Sequence, residues 1–101
     1  MSKPFAIKYD DASKAFLVSG PVTLDSAKDA LIKTKGVFDS VSDIEVDLQG
    51  VTESDSAGLA LLLDWMRAAK NANKPITFKH MPEQMDAIAK ASGLDELLPL
   101  K

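Results

Sequence analysis

The chain contains no cysteine, and among its 101 residues there is one histidine, one tryptophan and one tyrosine. Without cysteine there can be no disulfide framework, no thiol nucleophile and no thiolate-held metal, a composition that suits a reducing compartment. Positive charge is in deficit, with 12 Lys and Arg against 15 Asp and Glu and a net charge of −3. The lysines are scattered and do not form the basic stripe that neutralises phosphate backbones, which argues against nucleic acid as a partner. Long hydrophobic runs are also missing. The longest, Ala57 to Leu63, falls far short of the roughly 20 residues that span a bilayer, so a role at a membrane would require a partner to hold the chain there. Met1-Ser2-Lys3-Pro4 lacks the apolar segment of a secretory signal, and a cytoplasmic location is expected. No glycine-rich phosphate loop occurs, so neither nucleotide nor any other cofactor is expected of this chain.

With 46% hydrophobic and 27% charged residues and no low-complexity tract, the chain has the composition of a globular protein. Its length suits a single domain over residues 1–101 and excludes a multidomain enzyme. Phe5, Ile7 and Tyr9 alternate with Ala6 and Lys8, Asp10-Asp11-Ala12-Ser13 interrupts, and Phe16 and Val18 resume the alternation, which predicts a hairpin. Gly20-Pro21 closes the second strand. Thr23 then suits the cap of a helix with an apolar stripe of Leu24, Ala27 and Leu31, ending near Gly36, after which Val37 and Phe38 turn back into the core.

A third strand follows, with Ile44, Val46 and Leu48 alternating against Asp43, Glu45, Asp47 and Gln49. A polar loop then leads to a helix in which Leu59, Leu62, Leu63 and Met66 fall at i, i+3, i+4 and i+7 and form one core face. Ser54 or Asp55 suits its N-cap, and Ser56 lies in or beside the first turn. Free N–H groups and the helix dipole favour an anion there by about 0.3–1 kcal/mol, so a phosphate on Ser56 would be tolerated locally. Asn71-Ala72-Asn73-Lys74-Pro75 turns the chain into a strand around Ile76-Thr77-Phe78. Pro82 suits the first position of a last helix, which buries Met85, Ile88 and Ala89 and is capped at Gly93-Leu94. Leu97, Leu98 and Leu100 form an apolar tail. The order ββαβαβα predicts an α/β protein with a mixed sheet and its helices mostly on one face.

The run VDLQGVTESDSAGLALLL, residues 46–63, resembles the signature of STAS domains, the family that includes bacterial anti-sigma factor antagonists. In that signature an acidic strand end is followed by D-S/T-x-G-L and a helix, and Asp55, Ser56, Gly58 and Leu59 match it. The resemblance covers essentially the whole chain, and it implies the same fold order. The continuation GLALLLDWMRAAKNANKPITF is most similar to the Mla-type branch, the STAS subunits of phospholipid ABC transporters in Gram-negative bacteria. The family thus implies a non-enzymatic protein that binds the transporter's ATPase subunit and sits at the inner membrane through that partner. For the antagonist branch it implies a switch in which a partner serine kinase phosphorylates Ser56.

On residue chemistry alone, Ser56 is a capping-type serine at a helix start; the resemblance makes it the regulatory or interface residue. Asp55, Gly58 and the acidic Glu53 accompany it, and Pro21 to Thr23 lie near the signature loop in the family fold. Leu61, Trp65, Ala68 and Ala72 form a second stripe on the same helix. Trp65 then either folds onto a neighbouring helix or, with Leu61, joins a partner interface, where tryptophan is enriched. A serine hydrolase is not expected, because His80 is the single histidine, no G-x-S-x-G elbow exists and Asp55 beside Ser56 does not make a triad. His80 reads as an ordinary strand-end residue. Asp47, Glu53 and Asp55 could supply oxygen ligands for magnesium, yet nothing in their spacing fixes a geometry, and they are expected to be solvated or capping. Met66, Met81 and Met85 suit packing.

Overall fold

The computed structural model describes residues 4–100, so the N-terminal reading of Met1 to Lys3 lies outside them. The elements run β1 (Ala6–Asp10), β2 (Ala15–Val22), α1 (Leu24–Thr34), β3 (Ile44–Ser54), α2 (Ser56–Asn71), β4 (Ile76–Lys79) and α3 (Glu83–Ala91). The four-stranded sheet has the order β1-β2-β3-β4. β1 pairs antiparallel with β2, whereas β2 with β3 and β3 with β4 are parallel. Asp10 closes the hairpin by accepting from the Ser13 N–H and hydroxyl at 3.2 and 2.6 Å. α1 and α2 are therefore the crossovers that parallel neighbours require, and both fall on one face by the right-handed rule.

The alternation of β3 sets the layers. Ile44, Val46 and Leu48 are buried under the helices with Phe16, Val18, Val22 and Phe78, while Glu45 and Asp47 are half-buried on the other face. On that open face Lys79 pairs with Glu45 at 3.6 Å and His80 with Asp47. The β4 edge is covered by the C-terminal tail, where the Phe78 N–H donates to the Pro99 carbonyl at 2.9 Å. Of that tail, Leu98 is buried while Leu97 and Leu100 stay exposed.

Three sequence expectations are corrected. β3 does not end at Gln49; it continues to Ser54, pairing Gly50 with Ser19, Glu53 with Pro21 and Ser54 with Val22 through irregular register. The irregularity hides the alternation, and Gly50 permits it, because a Cβ there would stand 2.8 Å from the Val18 carbonyl oxygen. In α1, Leu24 and Leu31 are exposed, and the buried residues are Ala30 and Thr34. The third correction concerns Leu61 and Trp65, which are 4% and 2% exposed and belong to the core rather than to an exposed stripe.

Trp65 takes the other solution and folds onto α1. Its indole N–H donates to the Thr34 hydroxyl at 3.1 Å, which donates in turn to the Ala30 carbonyl at 2.8 Å. Phe38 meets the indole edge-on at 5.9 Å and Phe16 edge-on at 5.0 Å, and Tyr9 lies tilted against Phe16 at 5.0 Å, giving an aromatic chain that runs from the core to the surface. α2 is thus covered on both flanks, by α1 through Trp65 and by the sheet and α3 through Leu59, Leu62 and Met85. Alanine and threonine face the tryptophan because its bulk fills the space between the helices.

Candidate functional site

The C-terminal ends of β2 and β3 lie side by side, so the starts of α1 and α2 meet at one edge of the molecule. Asp55 joins them. One carboxylate oxygen accepts the Ala57 N–H at 2.8 Å and caps α2, and the other accepts the Leu24 N–H at 3.1 Å and holds the first turn of α1. Of the two N-cap candidates, Asp55 fills the role. Ser54 instead ends β3, with its N–H donating to the Gln84 side chain at 3.2 Å and its buried hydroxyl unpaired among the described residues.

The first turn of α1 is braced from its own side. The Ser26 hydroxyl oxygen accepts the Thr23 N–H at 2.9 Å, and the hydroxyl donates to the Pro21 carbonyl at 2.8 Å. Pro21 and Thr23 are half-buried beside Glu53, so the expected nearness of this loop to the signature loop is realised. Gly58 is buried, and a Cβ there would collide with the Val22 carbonyl oxygen and meet Met85 Cε at 3.1 Å. It lets α2 lie against β2 and α3, and this packing role replaces the surface role the signature suggested.

Ser56 remains as the first residue of α2, exposed to solvent. Its hydroxyl is displayed on a frame fixed from below by Asp55 and Gly58, with exposed Glu53 nearby. Two helix N-termini attract negative charge to this edge, while Asp25, Glu53 and Asp55 already place carboxylates there. An added anion would be favoured by the dipoles and opposed by its neighbours.

Asp47 stands apart from Glu53 and Asp55, committed to His80 Nδ1 at 2.8 Å. Burial disfavours ionisation of Asp47, but the Gln49 N–H, the hydrogen bond and charge of His80 and the charge of Lys79 outweigh it and hold the carboxyl below its ordinary range. His80 sits at the end of β4 with φ of 58°. Sequence reading missed the second bond of Asp55, the brace from Ser26 and the contact of Gln84. Each joins residues distant in sequence or depends on loop geometry; only the spacing of Thr23 and Ser26 hinted at a reciprocal cap.

A family model described as "Mlab, STAS domain" matches residues 5–99. No protein of curated function matches the sequence significantly. Solved structures share the fold. An anti-sigma factor antagonist from Mycobacterium paratuberculosis superposes with a TM-score of 0.71 at 20% identity, over 99% of this chain and 89% of that one. A putative anti-sigma factor antagonist from Thermotoga maritima gives 0.68 at 16% identity, over 95% and 84%. The Bacillus cell fate determinant SpoIIAA in its phosphorylated form gives 0.64 at 17% identity, over 96% and 90%.

Proposed function

The chain belongs to the STAS domain family, and from that premise we propose that it is a non-enzymatic subunit that binds the ATPase of a Mla-type phospholipid ABC transporter and supports its assembly and activity. One observation carries the reading: the exposed hydroxyl of Ser56 stands at the start of α2, on a loop that Asp55 locks to a second helix. A preorganised loop loses little freedom on binding, which suits docking. The "Mlab" description of the matching family favours the transporter branch. ATP belongs to the partner in this reading, and the chain needs no cofactor. Its place is cytoplasmic, peripheral to the inner membrane through the ATPase and its permease; among the described residues no helix is long and apolar enough to cross a membrane.

A second reading is favoured by the same hydroxyl together with the likeness in fold to anti-sigma factor antagonists. In it, unmodified chain sequesters an anti-sigma kinase and phosphate on Ser56 releases it. Phosphate would be favoured by the α2 dipole and repelled by Asp55 and Glu53, so a partner seated on the loop would feel most of the change. A tagged chain recovered from its native cells, wild type beside Ser56→Glu, separates the two when bound proteins and phosphopeptides are identified by mass spectrometry. The transporter reading expects an ABC ATPase with its permease, lost in the variant. Recovery of a serine kinase with phosphorylated Ser56 would replace it with the switch.

A further inference from the structure

β3 outruns its neighbour on one side. β4 pairs with Ile44, Glu45, Val46 and Asp47 alone, so over residues 48–54 β3 has no strand beside it there among the described residues. A backbone N–H on that side must find another acceptor or stay unpaired. At the end of the strand the acceptor is a side chain. The Ser54 N–H donates to Gln84 Oε1 at 3.2 Å, across 30 residues of sequence.

Gln84 is the second residue of α3 and is exposed. Its bond does not cap its own helix, since Pro82 stands at the N-cap without a side-chain hydrogen bond and the Gln84 oxygen goes to β3. The helix that carries it is anchored by other means. Met85 and Ala89 are 0% exposed in the core, Met85 Cε packs where Gly58 lets α3 approach α2, and His80, before Pro82, bonds Asp47 through Nδ1 at 2.8 Å. α3 is thus a fixed post, and Ser54 is tied to it. The next residue, Asp55, is tied to α1 through the Leu24 N–H, and Ser56 follows. Two consecutive residues before the serine are therefore moored to different helices, one by its backbone and one by its side chain. Each mooring removes backbone freedom that docking would otherwise have to freeze.

We infer that Gln84 is a positioning residue for docking, which fixes Ser56 through the Ser54 N–H and not by touching the partner. The inference rests on the docking reading above. It brings α3 into the site, and it assigns the effect to a single acceptor atom at the start of that helix.

Gln84→Glu keeps an acceptor oxygen and Gln84→Leu does not, while both residues suit a helix. The test measures two quantities on each purified full chain. One is the exchange rate of the Ser54 amide hydrogen in the free chain, by NMR; the other is the affinity for the purified ATPase subunit, by calorimetry at raised salt so that the charge added by glutamate is screened. Circular dichroism melts check that every chain is folded at the temperature used. Gln84→Leu should speed Ser54 exchange and weaken binding by about fivefold, the worth of one hydrogen bond, and Gln84→Glu should return both close to wild type. Ser54 exchange as slow in Gln84→Leu as in wild type would remove the tether and overturn the inference. Faster exchange with wild-type affinity would also overturn it, and would leave the docking reading intact. Equal loss of binding in both variants, with Ser54 still protected in Gln84→Glu, would make Gln84 a contact residue and end its role through Ser54. Absence of binding by the wild type would defeat the docking reading and this inference together.

Discussion

Asp55 holds the starts of two helices with one carboxylate, and the position of Ser56 depends on it. Asp55→Ala removes both acceptors and is expected to cost about 1–2 kcal/mol in chemical denaturation, at the upper end for a lost N-cap. Asp55→Asn keeps one acceptor oxygen and should cost less, and equal stability of the alanine variant and wild type would contradict the double cap. Asp47 makes a pH-dependent contribution. Its folded carboxyl lies below the ordinary value, because the bonds from Gln49 and His80 outweigh the burial that opposes its charge. A depressed folded pKa stabilises the protein above the unfolded value, about 3.9, and that contribution is lost as pH falls through the folded value. Asp47→Asn should therefore lose stability at neutral pH and show a shallower acid decline below about pH 4. An acid limb parallel to that of wild type would rule this out.

Among the elements, α2 was the most legible and also the most ambiguous. Its 3.6-residue periodicity, its start near Asp55 and its burial against the sheet through Leu59 and Leu62 all follow from the sequence. Its second apolar stripe has two physical solutions, an outside partner or a neighbouring helix, and periodicity cannot choose between them because it carries no record of what lies alongside. Trp65 chose α1, where Thr34 accepts its N–H and Ala30 is buried, while Leu24 and Leu31 stay in water although their spacing marked them for the core. The length of β3 was hidden for a related reason, since the irregular pairing at Gly50 breaks period two. Thr34→Val keeps the volume but leaves the buried Trp65 N–H without an acceptor, and is expected to cost about 1–3 kcal/mol, with a change in tryptophan emission. Unchanged stability would mean that the indole finds another acceptor. Gly58→Ala should destabilise by about 1–3 kcal/mol, because its methyl group meets backbone of β2 that cannot yield.

For the whole molecule, the parallel pairing of β2, β3 and β4 places the starts of all three helices along one edge, and Ser56 lies on that edge. The ββαβαβα order was legible because the strands, turns and caps recur at short range. The places of Asp55 as N-cap and Ser56 as the first residue of α2 were legible in the sequence, and the surroundings of that loop were obscure where they depend on how elements meet. The central claim is that Ser56 is a docking residue whose change leaves the fold intact. A negative charge at the first position of a helix is favoured by its dipole, so Ser56→Glu perturbs the surface without unfolding what lies beneath. The most direct measurement co-expresses the chain with the ABC ATPase and compares the yield of their complex on size exclusion for wild type and Ser56→Glu, with the melting temperature of each free chain. The account predicts matching melting temperatures and loss of most of the complex in the variant; equal yields of complex from both chains would contradict it.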